Sequence, residues 1–169
     1  MNKIDLIKSK IFNFNKEDEL QNLRRKLAFW KFRDSKLVFT NGCFDILHLG
    51  HIDYLSKAAD LGEILIIGLN TDASVKRIKG NNRPLNNEEA RAITLASLGF
   101  VSVVVLFDDD TPYNLIKTIG PDVLVKGSDY KPEKIVGYDV VKEKRGEIAV
   151  IDFLEGYSTT SFIEKIKSL

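Results

Sequence analysis

From Lys36 onward, short apolar runs rich in β-branched residues, KLVFT, EILIIGL, VSVVVLF, DVLVKG and EIAVID, alternate with longer segments whose apolar positions recur at helical spacing. Strands apolar on both faces, each followed by a helix, predict an α/β chain with a parallel sheet covered on two sides. Five such runs joined by right-handed crossovers make a doubly wound five-stranded parallel sheet. The connecting helices are expected near His51 to Asp60, Glu88 to Leu98, Thr111 to Ile119, Tyr138 to Lys144 and Thr159 to Ser168. Asn86 to Arg91 opens like a capped helix, and Asp110 or Thr111 precedes Pro112 in a first turn. Ahead of the sheet, KEDELQNLRRKLAFWKFRDSK reads as a helix with Leu20, Leu23, Leu27 and Phe29 or Trp30 on one side, and the first sixteen residues as an arm. The chain thus divides into an arm and helix, 1–35, and a domain, 36–169.

A length of 169 residues with 44% hydrophobic content suits one globular core. The 25 basic and 24 acidic side chains nearly cancel, so no overall field favours nucleic acid or a membrane surface, and an anionic ligand must be gripped locally. A single cysteine excludes a disulfide framework within the chain and a multi-cysteine zinc site. The opening MNKIDLIKSK lacks the layout of a secretory signal, and no stretch has the apolar length of a membrane span. A cytoplasmic setting is expected.

In a doubly wound sheet, ligands bind outside the carboxyl ends of the strands. The segments there include NGCFDILHLGH, KGSDYKPEK and FLEGYSTTS, all rich in glycine, hydroxyl or charged groups. Both histidines, His48 and His51, flank Gly50 where the first strand's loop meets a helix. Unpaired amides and the helix dipole favour an anion at such a junction, and two imidazoles three residues apart can donate to one phosphoryl group. Packing and metal binding are the competing roles, and zinc lacks a third histidine or cysteine ligand. Cys43, with no basic partner beside it in the sequence, reads as a small buried residue.

The stretch GCFDILHLGH resembles the HxGH signature of the cytidylyltransferase-like nucleotidyltransferases, and GYSTTSFI resembles their C-terminal motif. Over residues 36 to 169, FTNGCFDILHLGHIDYL, LNTDASVKRIKGNNRPLN and DTPYNLIKTIGPDVLVKGSDY are similar to the adenylyltransferase domains of bifunctional heptose kinase/adenylyltransferases. The resemblance implies a Rossmann-like nucleotidyltransferase domain that joins ATP and D-glycero-β-D-manno-heptose 1-phosphate into ADP-heptose and pyrophosphate for lipopolysaccharide assembly. Two alternatives stand beside it: a cytidylyltransferase acting on glycerol 3-phosphate or a related alcohol, and a nucleotide-binding module without catalysis. Phe153, where CDP-glycerol-forming relatives often carry an arginine, favours adenine.

By the same resemblance, His48, His51 and Lys79 are the catalytic candidates. The nucleotide would be held by Thr40, Asn41, Gly42, Cys43, Phe44, Asp45 and Gly50 in the first loop, by Lys126, Gly127 and Asp129 after the fourth strand, and by Tyr157, Ser158, Thr159 and Thr160 before the last helix. Ser158 also reads as an N-cap. Asn70, Asp72, Arg83 and Arg91 would meet the sugar phosphate, the basic segment with Lys76 and Lys79 serving as a cover. Asp45 is the candidate for magnesium, expected with ATP, or else a turn residue. Ser128 departs from the glycine common at its position. The resemblance also implies a homodimer, and a chain with no room for a kinase domain implies separate kinase and phosphatase proteins upstream.

Overall fold

The computed structural model of the chain describes residues 2–128 and 132–168. It contains helices α1 (Lys3–Lys8), α2 (Glu17–Phe32), α3 (Leu49–Ala59), α4 (Asp72–Lys79), α5 (Glu88–Ala96), α6 (Tyr113–Ile119), α7 (Tyr138–Glu143) and α8 (Thr159–Lys167). Strands β1 (Ile11–Asn13), β2 (Leu37–Gly42), β3 (Ile64–Asn70), β4 (Val103–Phe107), β5 (Val123–Gly127) and β6 (Glu147–Ile151) form one sheet in the order β1-β4-β3-β2-β5-β6. Every strand pair in it is parallel.

Period-two alternation sorts each strand's side chains onto two faces. In β4, Val103, Val105 and Phe107 join one apolar cluster while Val104 and Leu106 join the other, and β2 divides Leu37 and Phe39 from Val38 in the same way. The first cluster is closed by α2, α6 and α7 through Leu23, Leu27, Ile116, Ile119 and Val141. The second is closed by α3 and α5 through Leu55, Ala58, Ala92 and Leu95. Both faces are therefore dry, as continuous apolar strands require.

The strand count corrects the sequence reading from five to six. The supposed arm holds β1, whose Ile11 and Phe12 register with Val104 and Val105, and α2 buries Leu20, Leu23 and Leu27 in the common core. The first sixteen residues are thus not an arm, since β1 joins the sheet, and the helix that follows them covers the core. A second correction is α4, read from its cations as part of a loop. Its N-cap Thr71 accepts a hydrogen bond from the Ser74 amide, and Val75 is buried.

The order places a change of winding direction between β2 and β5, because the chain leaves β2 toward β3 and leaves β5 toward β6. Their register covers only Val38 with Val123 and Phe39 with Leu124, so beyond Phe39 the two strands part and leave a crevice at their carboxyl ends. Among the described residues, no helix is long and apolar enough to cross a membrane.

Candidate active site

The crevice opens into a cleft of about 370 Å³. Its floor is Asn41 and Gly42 from β2 with Lys126 and Gly127 from β5, and the Lys126 ammonium donates to the Asn41 side-chain carbonyl. Cys43, Phe44, His51 and Tyr54 form one wall, Asn70, Ile78 and Lys79 another, and Phe153 a third. A larger hollow of about 450 Å³ lies between α1, β1 and α5. Its Lys8 and Lys16 pair with Glu89 and Glu19 on the spot, each at 3.1 Å, and none of the sequence-predicted site residues lines it.

His48 is the N-cap residue of α3, so the helix opens two residues before the expected His51 and both imidazoles sit at its first turn. Their rings stack with centroids 3.8 Å apart. The Nδ1 atoms of both are shielded from solvent without a well-formed hydrogen bond among the described residues. Burial lowers the pKa of His48. Burial, then the nearby His48 and Lys79 charges, push His51 down to about 4 against a raising effect of the Ile46 backbone. Both rings are therefore neutral at pH 7, each with one N–H to donate.

The C-terminal motif reaches this same place. The Phe162 ring lies nearly parallel to His48 at 5.8 Å, and a Cβ on Gly50 would come within 3.1 Å of Tyr157 Cβ and of His48 Nδ1. A side chain at position 50 would press on both, because the start of α3 and the segment before α8 close on each other there. Ser158 caps α8, its hydroxyl accepting from the Ser161 amide at 3.0 Å, and Thr159 and Thr160 supply the first helical turn. The two motifs, more than a hundred residues apart in sequence, thus meet with two helix N-termini side by side, an arrangement suited to an extended anion.

Five of the predicted ligand-binding residues, Thr40, Asp45, Asp72, Arg83 and Arg91, are placed elsewhere. Thr40 is fully buried and its hydroxyl shares a hydrogen bond of 2.8 Å with Tyr54, so it supports the cleft wall from behind. Arg91, expected at the sugar phosphate, is buried beneath the cleft, with Nη2 at 2.8 Å from the Asp72 carboxylate. Arg83 is committed to Asp45, its Nη1 donating to the carboxylate at 2.8 Å. That carboxylate also accepts from the Leu85 and Asn86 amides at 2.7 and 3.0 Å. Burial alone would raise the pKa of Asp45, but the Asn86 amide, Arg83 and the Leu85 amide outweigh it and hold it below the ordinary carboxylate value. With its lone pairs so occupied, Asp45 serves as the anchor of a loop. It does not suit a magnesium ligand, and no group of three or more carboxylate, histidine or cysteine side chains among the described residues could hold a metal.

Asn70 lines the cleft as expected while its amide donates to Ser74 Oγ at 2.9 Å. Cys43 lies 3.9 Å from Asn70 Oδ1 through its sulfur, and burial raises its thiol pKa despite Lys79 and Arg91, so it stays protonated. Asp129 falls outside the described residues. Sequence reasoning missed Tyr54 and Ile78 as wall residues, and Phe162 as the ring stacked on His48. Tyr54 had a legible signal, since it follows His51 by three positions on the same helix face.

Residues 39–165 match the Cytidylyltransferase-like family. A bifunctional protein HldE of Campylobacter concisus is 61% identical over 132 residues, covering 78% of this chain and 27% of that protein. The HldE of a Campylobacter jejuni subsp. jejuni serotype O:6 strain is 52% identical over 160 residues, 93% of this chain and 34% of its own length. The chain thus spans about a third of these curated relatives. Among solved structures, a lipopolysaccharide core biosynthesis protein from Thermoplasma volcanium superposes with a TM-score of 0.57 at 25% identity, over 73% of this chain and 99% of that one. Pantoate-beta-alanine ligase from Francisella tularensis, at 16% identity and the same TM-score, over 94% of this chain and 78% of its own, shares the fold. With the two motifs meeting beside the cleft, the chain belongs to the cytidylyltransferase-like family and is a nucleotidyltransferase.

Proposed function

We propose that the cleft transfers the adenylyl group of ATP to D-glycero-β-D-manno-heptose 1-phosphate, giving ADP-heptose and pyrophosphate for lipopolysaccharide precursors. The observation that carries this reading is the pair of neutral, stacked histidines beside the capped end of α8. The high identity to HldE proteins and the likeness to a lipopolysaccharide core biosynthesis protein support the choice of acceptor.

The sugar phosphate needs no general base, because a phosphate monoester with a second pKa of about 6 is mostly dianionic at neutral pH. One of its oxygens attacks the α-phosphorus, the bond to the bridging oxygen of the β-phosphate breaks in line, and pyrophosphate leaves. Positioning and charge stabilisation do the catalysis. His48 and His51 donate to the α-phosphoryl and bridging oxygens as charge grows there, and the first turn of α8 holds the outer phosphates. Lys79, exposed at the cleft wall, is a cation whose charge is felt by His51. Asp45, its carboxylate already engaged by Arg83, Leu85 and Asn86, would not hold a magnesium ion accompanying ATP. This assignment places the protein in the cytoplasm with ATP, downstream of kinase and phosphatase steps that make the sugar 1-phosphate.

The test is pyrophosphate release with each nucleoside triphosphate against a panel of phosphorylated acceptors. Turnover is expected with ATP and the heptose 1-phosphate. Turnover confined to CTP and glycerol 3-phosphate overturns the substrate assignment, and nucleotide binding without turnover on any acceptor overturns the catalytic one.

A further inference from the structure

The segment that carries Lys79 is held by two buried charges, neither of which lines the cleft. Arg91, on α5, is 2% exposed, and all three guanidinium nitrogens donate. Nε reaches the Asn86 carbonyl at 3.1 Å, Nη1 the Cys43 carbonyl at 2.6 Å, and Nη2 the Asn70 carbonyl at 2.9 Å and the Asp72 carboxylate at 2.8 Å. Asp45, 4% exposed, grips the same loop from the opposite side through Arg83, Leu85 and Asn86. Asn86 is held by both, since its side-chain amide also donates to the Asp45 carbonyl at 2.8 Å.

These partners connect directly to the cleft. Cys43 and Asn70 line it through the ends of β2 and β3, and Asp72 opens α4, whose far end presents Ile78 and Lys79. The base of α4 is tied further by Glu88, which accepts the Asp72 amide at 2.8 Å. Toward the tip the tie is an exposed one, Arg77 pairing with Asp110 at 3.1 Å and Asp108 at 3.4 Å on the side away from Arg91. Gly80 ends the helix at φ +91° with nothing within 4 Å of the place a Cβ would take, and Lys79 is exposed. A helix of eight residues is about 12 Å long, so a tilt of about 5° at its base moves the tip by about 1 Å. Displacements of about that size in a positioned group cost up to about 10²-fold in rate.

We propose that Arg91 and Asp45 are positioning residues that act through α4 and the 80–87 loop to fix Lys79 against the histidine pair, making the basic segment a standing wall of the cleft. Its kinetic consequence rests on the nucleotidyl-transfer reading above; its structural content does not. Only a planar fork with donors on three nitrogens reaches three carbonyls and a carboxylate at once, which a lysine cannot reproduce.

The test uses Arg91→Lys and Asp45→Asn in the full chain. Hydrogen–deuterium exchange of the ligand-free protein is expected to speed up across residues 72–87 while β3 and β5 keep wild-type protection. In turnover assays, kcat is expected to fall by about 10- to 10²-fold. Arg91→Lys combined with Lys79→Met is expected to lose little more than Lys79→Met alone, because both changes remove the same positioned cation. Wild-type exchange across 72–87 overturns the proposal, as do fully multiplicative losses in the double variant. Should Arg91→Lys fail to fold, Asp45→Asn decides by the same two measurements. Should the wild-type protein turn over no acceptor, the catalytic reading fails alone and the exchange result still decides the positioning.

Discussion

The two sides of the cleft are built on opposite rules. On the α4–α5 side, buried charges are fully engaged: Arg91 and Asp45 between them hold four polypeptide segments, and the first turns of both helices are capped by side chains. On the α3–α8 side, polar atoms lack partners. The Nδ1 atoms of His48 and His51 are buried without well-formed bonds, and α8 buries none of its residues, leaving Phe162 and Ile166 exposed. A buried polar group left unbonded costs roughly 1–3 kcal/mol, so the second side bears a cost that the first avoids. The difference separates scaffold from chemistry. Groups already satisfied by the protein have nothing left for a ligand, whereas His51 lines the cleft with no such network of bonds around its ring.

The sharpest way to break this contrast is His51→Ala. If its ring is reserved for the ligand, turnover falls by about 10²–10³-fold, the usual loss for a donor to a developing oxyanion, while the thermal midpoint stays near wild type. A large drop in the midpoint with unchanged turnover would make the histidine part of the scaffold. Ser158→Ala gives a smaller effect. Loss of the cap is worth about 1 kcal/mol, and because α8 rests on the surface the loss should appear as faster amide exchange in α8 alone, with weaker ATP binding by calorimetry. A matching fall in global stability would show that α8 is integral to the core.

A third test uses pH. His51 titrates near 4 in the folded chain against an ordinary value of 6.5, so the unfolded state takes up its proton first. Its contribution to stability is complete above about pH 6.5 and declines as pH falls toward about 4. Asp45, held below its ordinary value, contributes stability that is lost only at more acid pH, as the pH drops through its lowered folded pKa. Thermal unfolding between pH 7 and pH 5 should therefore show a decline that His51→Ala flattens and Asp45→Asn does not.

The sheet and the meeting of the two motifs were legible because both follow from periodicity and from the rule that ligands sit at strand carboxyl ends. Three residues of β1 are too few to show a period, so that strand was read as an arm. Helix α4, DASVKRIK, has only Val75 and Ile78 as large apolar positions, and its cations suggested a loop. Arg91 and Asp45 misled for a different reason. A charged residue near a ligand edge looks the same in sequence whether it faces the ligand or turns inward to carbonyls supplied by distant strands. Only the fold distinguishes the two, because the partners of Arg91 lie 5 to 48 positions away.

The three residues of β1 matter beyond their number. They cover the outer margin of β4, with Val104 donating to the Lys10 carbonyl at 3.0 Å and Phe14 donating to the Leu106 carbonyl at 2.8 Å. A fragment cut to the family-matched span would bare that margin, an apolar strand with a free row of amides and carbonyls, and so offer a ready template for aggregation. The stretch lying outside the recognised domain is thus what keeps that domain from recruiting strands of its neighbours.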